Sequence, residues 1–322
     1  MAESIASSEV EGRLRDWALL LLCNLIWASQ FAMVKLVQKE MGFIFAMFFP
    51  MALAILILLP FVLRQRRVID PRALTPMSAL DVGHFALLGV LGQVVAQLGV
   101  TWGAQLSTAS TAALLFLGLP IVTTLMAFLL LGERMTRIRL AALVLALLGV
   151  LSSSGIDVSD LRFTDSKSLS GNLLIFAGVA GSAFYNVYSK RLMHRHSPLD
   201  VLLYSYVAVL IFMLPVTLAF EPSGFINLPR YSATVWVGIL MLAIFQYALS
   251  MVIFLRVLDR VDATQAAVMN YLIPFFGVVI AWILLGEHMT KVMIVGGILG
   301  LGSTLLATVF DKPQASASTV ES

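Results

Sequence analysis

Apolar runs separated by short polar turns occupy most of the chain. They fall at roughly 17–37, 43–63, 82–104, 108–131, 137–153, 172–192, 200–220, 233–256, 263–285 and 291–310. At about 1.5 Å of helical rise per residue, each is long enough to cross or nearly cross a hydrocarbon layer about 30 Å thick. The pattern therefore predicts an all-α integral membrane protein with ten transmembrane helices. Polar residues inside the runs recur at helical spacing. In span three, Gln93, Gln97, Thr101 and Gln105 stand four apart and share one face.

The runs also repeat. Pro120–Thr136 reads PIVTTLMAFLLLGERMT and Pro274–Thr290 reads PFFGVVIAWILLGEHMT, every matching residue lying 154 positions from its counterpart. A proline inside an apolar helix removes one backbone hydrogen bond, so Pro120 and Pro274 are expected to kink their helices where protein or a cavity supplies other partners. The Leu-Gly-Glu that follows ends each helix, glycine permitting a left-handed turn and the carboxylate requiring water. A 154-residue offset divides ten spans into five and five. An odd number of crossings makes the second copy enter from the opposite side, so the repeats are expected to be inverted. The boundaries read as 1–16 cytoplasmic segment, 17–153 first repeat, 154–171 external linker, 172–310 second repeat and 311–322 cytoplasmic tail.

Charge orients this arrangement. With the N-terminus inside, fifteen Lys and Arg residues fall on inner segments and six on outer ones, which predicts both termini cytoplasmic and a multi-pass protein of the plasma membrane, the inner membrane in a bacterium. Hydrophobic residues make up 60% of the chain and charged residues 12%, which excludes a soluble protein of this length. The net charge of +3 comes from short clusters between apolar runs and gives no nucleic-acid patch. Cys23 is the single cysteine, so neither an intrachain disulfide nor a cysteine metal site is available. The acidic and basic residues before Trp17 read as an uncleaved start. The Ser- and Ala-rich end reads as a short disordered tail.

Polar and aromatic residues within the spans are the candidates for a pathway. Gln93, Gln97 and Thr101 either bond neighbouring helices or line a cavity, and three glutamines on one face favour a cavity. Span one places Asn24, Trp27, Phe31 and Lys35 close together by helical phase. Lys35 there either meets substrate or snorkels to the surface. Span six adds Ser182, Tyr185, Asn186 and Ser189, span eight Gln246, Tyr247 and Ser250, and span nine Asn270 and Tyr271. Small-residue pairs at Gly99/Gly103, Ala142/Ala146, Ala177/Gly181 and Gly296/Gly300 read as packing seams, those of spans five and ten serving the monomer or a homodimer. Met47 and Met51 read as core filling. Every Asp and Glu falls in a loop or at a span end, which leaves no mid-membrane proton carrier. His84, His194, His196 and His288 lack ligand spacing, and no nucleophile motif occurs, so neither an enzyme nor a cofactor is expected.

Two five-helix units ending in Pro120…LLLGE(133) and Pro274…ILLGE(287), the first opened by IWASQFAMVK at 26–35, resemble the EamA family of the drug/metabolite transporter superfamily. The resemblance covers almost the whole chain. It implies ten helices in inverted repeats around a central pathway, a small-molecule substrate and the lipid bilayer as partner. Related small multidrug pumps carry a glutamate in the first helix, where this chain has only Asn24. The expected function is a secondary transporter, an exporter of small neutral or zwitterionic metabolites such as amino acids working by alternating access. The competing class is a membrane sensor or scaffold without transport.

Overall fold

The structure is a computed structural model. It describes residues 2–68, 77–132, 166–263, 266, 269, 270 and 272–286, with scattered positions within 136–148 and 295–302. Most of predicted spans five and ten, the small-residue pairs on them, Tyr271, Glu133, Glu287, the linker before Ser166 and the tail lie outside the described residues.

Every described element is a helix. In chain order they are α1 (Ala2–Val37), α2 (Phe43–Val68), α3 (Ala79–Leu87), a π-helical segment (Leu88–Val94), α4 (Val95–Leu106), α5 (Ala109–Leu115), a 3-10 turn (Phe116–Gly118) and α6 (Leu119–Leu131). After the linker come α7 (Ser166–Met193), α8 (Pro198–Phe220), a single helical turn (Ser223–Ile226), a 3-10 turn (Leu228–Arg230), α9 (Ala233–Leu240), a second π-helical segment (Met241–Leu249), α10 (Ser250–Leu258) and α11 (Leu272–Leu285). Five stretches, Leu14–Val37, Phe43–Gln65, Ala79–Leu106, Pro198–Phe220 and Ala233–Leu258, are long and apolar enough to cross a membrane, and Leu119–Leu131 and Phe275–Leu285 are shorter apolar helices. Two boundaries differ from expectation. The charged N-terminal residues continue α1 back to Ala2, and α7 begins at Ser166 inside the expected linker. Glu, Arg and Ala are good helix formers, and propensity extends α1 beyond its apolar run; the Ser-rich start of α7 has no such explanation.

Polarity is arranged for an apolar solvent. Leu56, Phe61, Ile211, Phe220 and Ile283 are 61–74% exposed, whereas Asn24, Gln30, Gln93, Gln246 and Asn270 are at most 6% exposed. Amides left in hydrocarbon without partners cost several kcal/mol each. Turning them inward and the branched side chains outward avoids that cost.

The prolines of the repeated stretch act differently from a simple kink. Pro120 sits in the first turn of α6, and the break lies just ahead of it, in the 3-10 turn Phe116–Gly118. A proline there gives up an N–H that has no intrahelical acceptor in any case, so two short helices meet where one bent helix was expected. In the second copy the turn falls at Asn270. Pro274 has no N–H to offer the Asn270 carbonyl, and the Ile273 N–H reaches it instead at 3.0 Å. Both copies end as the sequence implied, on Gly132 and Gly286 with φ of 69°.

Two features tie the elements together. At one end of the bundle, the Glu221 carboxylate following α8 accepts from the Ile44 and Phe45 N–H groups at 3.2 and 2.8 Å, capping α2 across the structure. Close by, the Ser232 N–H donates to Glu40 at 2.9 Å and, with the Ser232 hydroxyl, holds that carboxyl below its usual range. At the opposite end Asp16 pairs with Arg260 at 2.8 Å, and Asp81 faces His196 and Arg195 at 3.3 and 3.7 Å. The second feature is the seam between α4 and α7. A Cβ on Gly99 would lie 2.5 Å from the Leu174 carbonyl oxygen, one on Gly103 2.7 Å from the Gly171 carbonyl oxygen, and one on Gly181 2.7 Å from the Ala96 nitrogen. Both seam pairs read from the sequence therefore meet each other within the monomer, with Gly178 nearer than Ala177 at the crossing.

Because the obstructing atoms at Gly99 are backbone, Gly99→Ala should force α4 and α7 apart and destabilise the fold by about 1–3 kcal/mol. Gly83→Ala, whose Cβ would meet nothing within 4 Å inside α3, should keep or raise stability, by up to about 1 kcal/mol. Thermal unfolding in detergent of the two variants beside the parent checks this, and equal melting temperatures would remove the seam as a stabilising contact.

Candidate functional site

The inward-facing amides converge on a cavity enclosing about 540 Å³ of space between atoms, its open mouth included. Only about 50 Å³ of it is open to the centres of water-sized molecules, room for a few waters. α1 contributes Trp27, Gln30 and Phe31 to the wall, the first π-helical segment Gln93, and α4 Ala96, Gln97 and Val100. Phe116 and Leu119 come from the broken span, Ser182, Tyr185 and Asn186 from α7, Gln246 from the second π-helical segment, and Met251 and Ile273 from α10 and α11. The described lining carries no charged side chain.

Both repeats build this wall at equivalent positions. Gln97 and Met251 lie 154 positions apart, as do Leu119 and Ile273, and all four line the cavity. The π-helical segments fall on matching parts of spans three and eight as well. An i→i+5 turn accommodates an extra residue and rotates the side chains beyond it, and such bulges occur frequently at functional sites. Here they carry Gln93 and Gln246.

The amides are linked into a chain. Gln246 Nε2 donates to Gln30 Oε1 at 2.7 Å, Gln30 Nε2 donates to Gln97 Oε1 at 2.6 Å, and Gln97 Nε2 points at Gln93 Oε1 at 3.5 Å. The Tyr247 hydroxyl also donates to Gln97 Oε1, at 3.2 Å. Trp27 is fixed from behind, its indole N–H donating to Ser250 Oγ at 2.9 Å, while Ser250 Oγ donates to the Gln246 carbonyl at 2.6 Å. Phe31 meets Phe116 edge to face with ring centroids 5.2 Å apart.

Of the residues singled out in the sequence, Trp27, Phe31, Gln93, Gln97, Tyr185, Asn186 and Gln246 line the cavity, and Tyr247 touches it through Gln97. Thr101 does not reach it: its hydroxyl turns back onto the Gln97 carbonyl at 2.9 Å, the usual satisfaction of a buried threonine in a helix. Asn24 lies one turn from Trp27 and donates to the Met269 carbonyl at 2.8 Å. Asn270 is fully buried at the break in span nine, next to that carbonyl. Gln30, Phe116, Leu119, Met251 and Ile273 were missed, as were Ala96 and Val100 beside Gln97. Gln30 carried a signal, a lone amide in an apolar run; the apolar four become visible only when the helix breaks are known.

The lysines form a matched pair. Lys35 Nζ donates to the Ser107 carbonyl at 2.6 Å, at the C-terminus of α4. Lys190 Nζ donates to the Val261 carbonyl beyond α10 and faces Asp262 at 3.9 Å. Ser107 and Val261 are 154 positions apart, so each repeat uses its lysine on the equivalent carbonyl. A cation at a helix C-terminus is favoured by the carbonyls exposed there. Lys35 is thus bonded inward, not left free at the surface.

Comparison with known proteins agrees with the repeats. The EamA-like transporter family matches residues 17–155 and again 169–309. A probable terminal-alkyne amino-acid exporter of Streptantibioticus cattleyicolor is 29% identical over 71% of this chain and 73% of its own length. An uncharacterized transporter of Archaeoglobus fulgidus is 26% identical over 90% and 96%, and a probable amino-acid metabolite efflux pump of Salmonella typhimurium 25% over 88% and 92%. A solved crystal structure shares the fold with a TM-score of 0.71 at 16% identity, covering 92% of this chain and 96% of the other. Matched across both halves, and built as a multi-pass helical membrane protein, the chain belongs to the EamA-like transporter family.

Proposed function

We propose that the protein is a secondary transporter exporting small neutral or zwitterionic metabolites, amino acids foremost, by alternating access of two inverted five-helix repeats. The carrying observation is the cavity: uncharged, lined by amides and aromatic rings, and walled equivalently by both repeats. A phosphorylated substrate would call for buried Arg or Lys beside it, and the described cations lie at the span ends instead. Amides offer donors and acceptors together, which suits a substrate of no net charge. The amino-acid exporter and efflux pump among the relatives support the same class.

The cycle follows from the repeat. An inverted pair encloses its site between equivalent walls, and tilting one repeat against the other opens the site to one side while closing the opposite one. The Lys35–Ser107 and Lys190–Val261 ties stand where spans one and three, and six and eight, are held together, and we assign them to the two ends of the pathway. On this reading the chain crosses the bacterial inner membrane ten times with both termini cytoplasmic.

Three measurements test this reading. With Cys23 replaced, single cysteines at Thr136 and Thr290 should react with an impermeant thiol reagent from opposite sides of the membrane; reaction of both from one side removes the inversion. The metabolites that accumulate outside cells carrying the protein, against cells lacking it, identify the exported class, and flux per folded molecule then reports on side chains. Lys35→Met, losing a charged hydrogen bond, should lower that flux about tenfold or more with insertion intact; unchanged flux makes Lys35 a structural tie only. Gln97→Leu leaves Gln30 and Tyr247 without their acceptor and should cost about 1–3 kcal/mol of stability in addition to flux, whereas Gln97→Glu keeps the acceptors. Normal flux per folded molecule in Gln97→Leu would take span three out of the pathway lining.

A further inference from the structure

The amide chain has a direction, and the direction selects a substrate group. Ser205 Oγ donates to the Leu202 carbonyl at 2.9 Å, which commits its proton. The Tyr185 hydroxyl, 3.3 Å from Ser205 Oγ, is therefore the donor of that pair. The Gln93 carbonyl faces the Gln97 nitrogen, and the orientation passes along the chain. Gln97 turns its nitrogen to Gln93 and its oxygen to Gln30, Gln30 its nitrogen to Gln97 and its oxygen to Gln246, and Gln246 its nitrogen to Gln30.

The chain thus ends on an acceptor. Gln246 is 6% exposed, and its Oε1 has no hydrogen-bond partner among the described residues. Reversing the Gln246 amide would relieve nothing, because two carbonyl oxygens would then face each other across 2.7 Å. A buried carbonyl without a donor is destabilising, and the site persists with that deficit. Gln246 lines the cavity, and so do Trp27, Phe31 and Phe116. Aromatic faces attract a cation and do little for a neutral donor.

Resting on the transporter reading above, we infer that Gln246 Oε1 is the anchor for a protonated amino group of the substrate. The ammonium donates one hydrogen to this oxygen, with the aromatic faces around the rest of it. The Gln93–Gln97–Gln30 chain holds the oxygen in place without contributing a charge. Gln246 is then the specificity-determining residue that separates free amines from their acylated counterparts, whose nitrogen has lost both its charge and its spare hydrogens.

The test uses the purified full-length chain in proteoliposomes, with counterflow of radiolabelled L-leucine and L-phenylalanine measured beside N-acetyl-L-leucine and N-acetyl-L-phenylalanine. Losing one hydrogen bond to a charged group corresponds to a factor of about ten to a hundred, and the free amino acids should exceed the acetylated ones by that factor. Gln246→Glu keeps an acceptor and should preserve or raise the ratio, while Gln246→Met should bring it close to one. Ratios are independent of how much protein folds, and a poorly folding Gln246→Met still leaves the parent and Gln246→Glu to be read. Equal transport of free and acetylated compounds by the parent overturns the ammonium anchor and leaves the exporter standing. A high ratio that Gln246→Met does not change overturns the assignment to Gln246. Transport of none of the four compounds overturns the anchor together with the amino-acid reading.

Discussion

Hydrocarbon cannot hydrogen-bond an amide, and this protein has placed many amides at membrane depth. Most of the described ones find at least one partner inside the bundle. The result is a single connected chain through Gln246, Gln30, Gln97 and Gln93, which draws residues from α1, α4 and both π-helical segments to one place. The cavity exists where this chain runs. Moving any of those helices breaks a bond that lipid cannot replace, so the polar residues of the core fix the arrangement of spans more tightly than apolar packing among interchangeable leucines would.

Close packing supplies what the polar chain does not. The α4–α7 seam joins the first repeat to the second through glycines whose missing Cβ atoms leave the two backbones nearly touching. Van der Waals contact of this kind is what remains to hold helices together when lipid tails are as apolar as the side chains. The same two helices also line the cavity, through Gln97 on α4 and Asn186 on α7.

Much of this was legible in the sequence, for physical reasons. Spans, repeat and left-handed glycine ends follow from hydropathy, spacing and the conformational freedom of Gly132 and Gly286. The stripe through Gln93 and Gln97 was visible because polar residues in apolar runs are conspicuous. Thr101 misled for the same reason: its position on the stripe was right, but a hydroxyl can satisfy itself on its own helix and an amide cannot. The π-helical segments and the break before Pro120 were not legible, because an inserted residue within an apolar helix leaves no polar mark. The cavity wall at Phe116, Leu119 and Ile273 depends on those breaks and was lost with them.

The two π-helical segments have a historical consequence. An extra residue in a helix strains the hydrogen-bond ladder, and it persists only where its displacement of side chains is of use. Leu88–Val94 and Met241–Leu249 occupy matching parts of the two halves. Two separate insertions at equivalent points would demand a coincidence; one insertion in a five-helix ancestor, followed by duplication of the gene, demands none. The bulge is then older than the two-repeat chain, and the ancestral half already carried the distortion that now shapes the cavity from both sides.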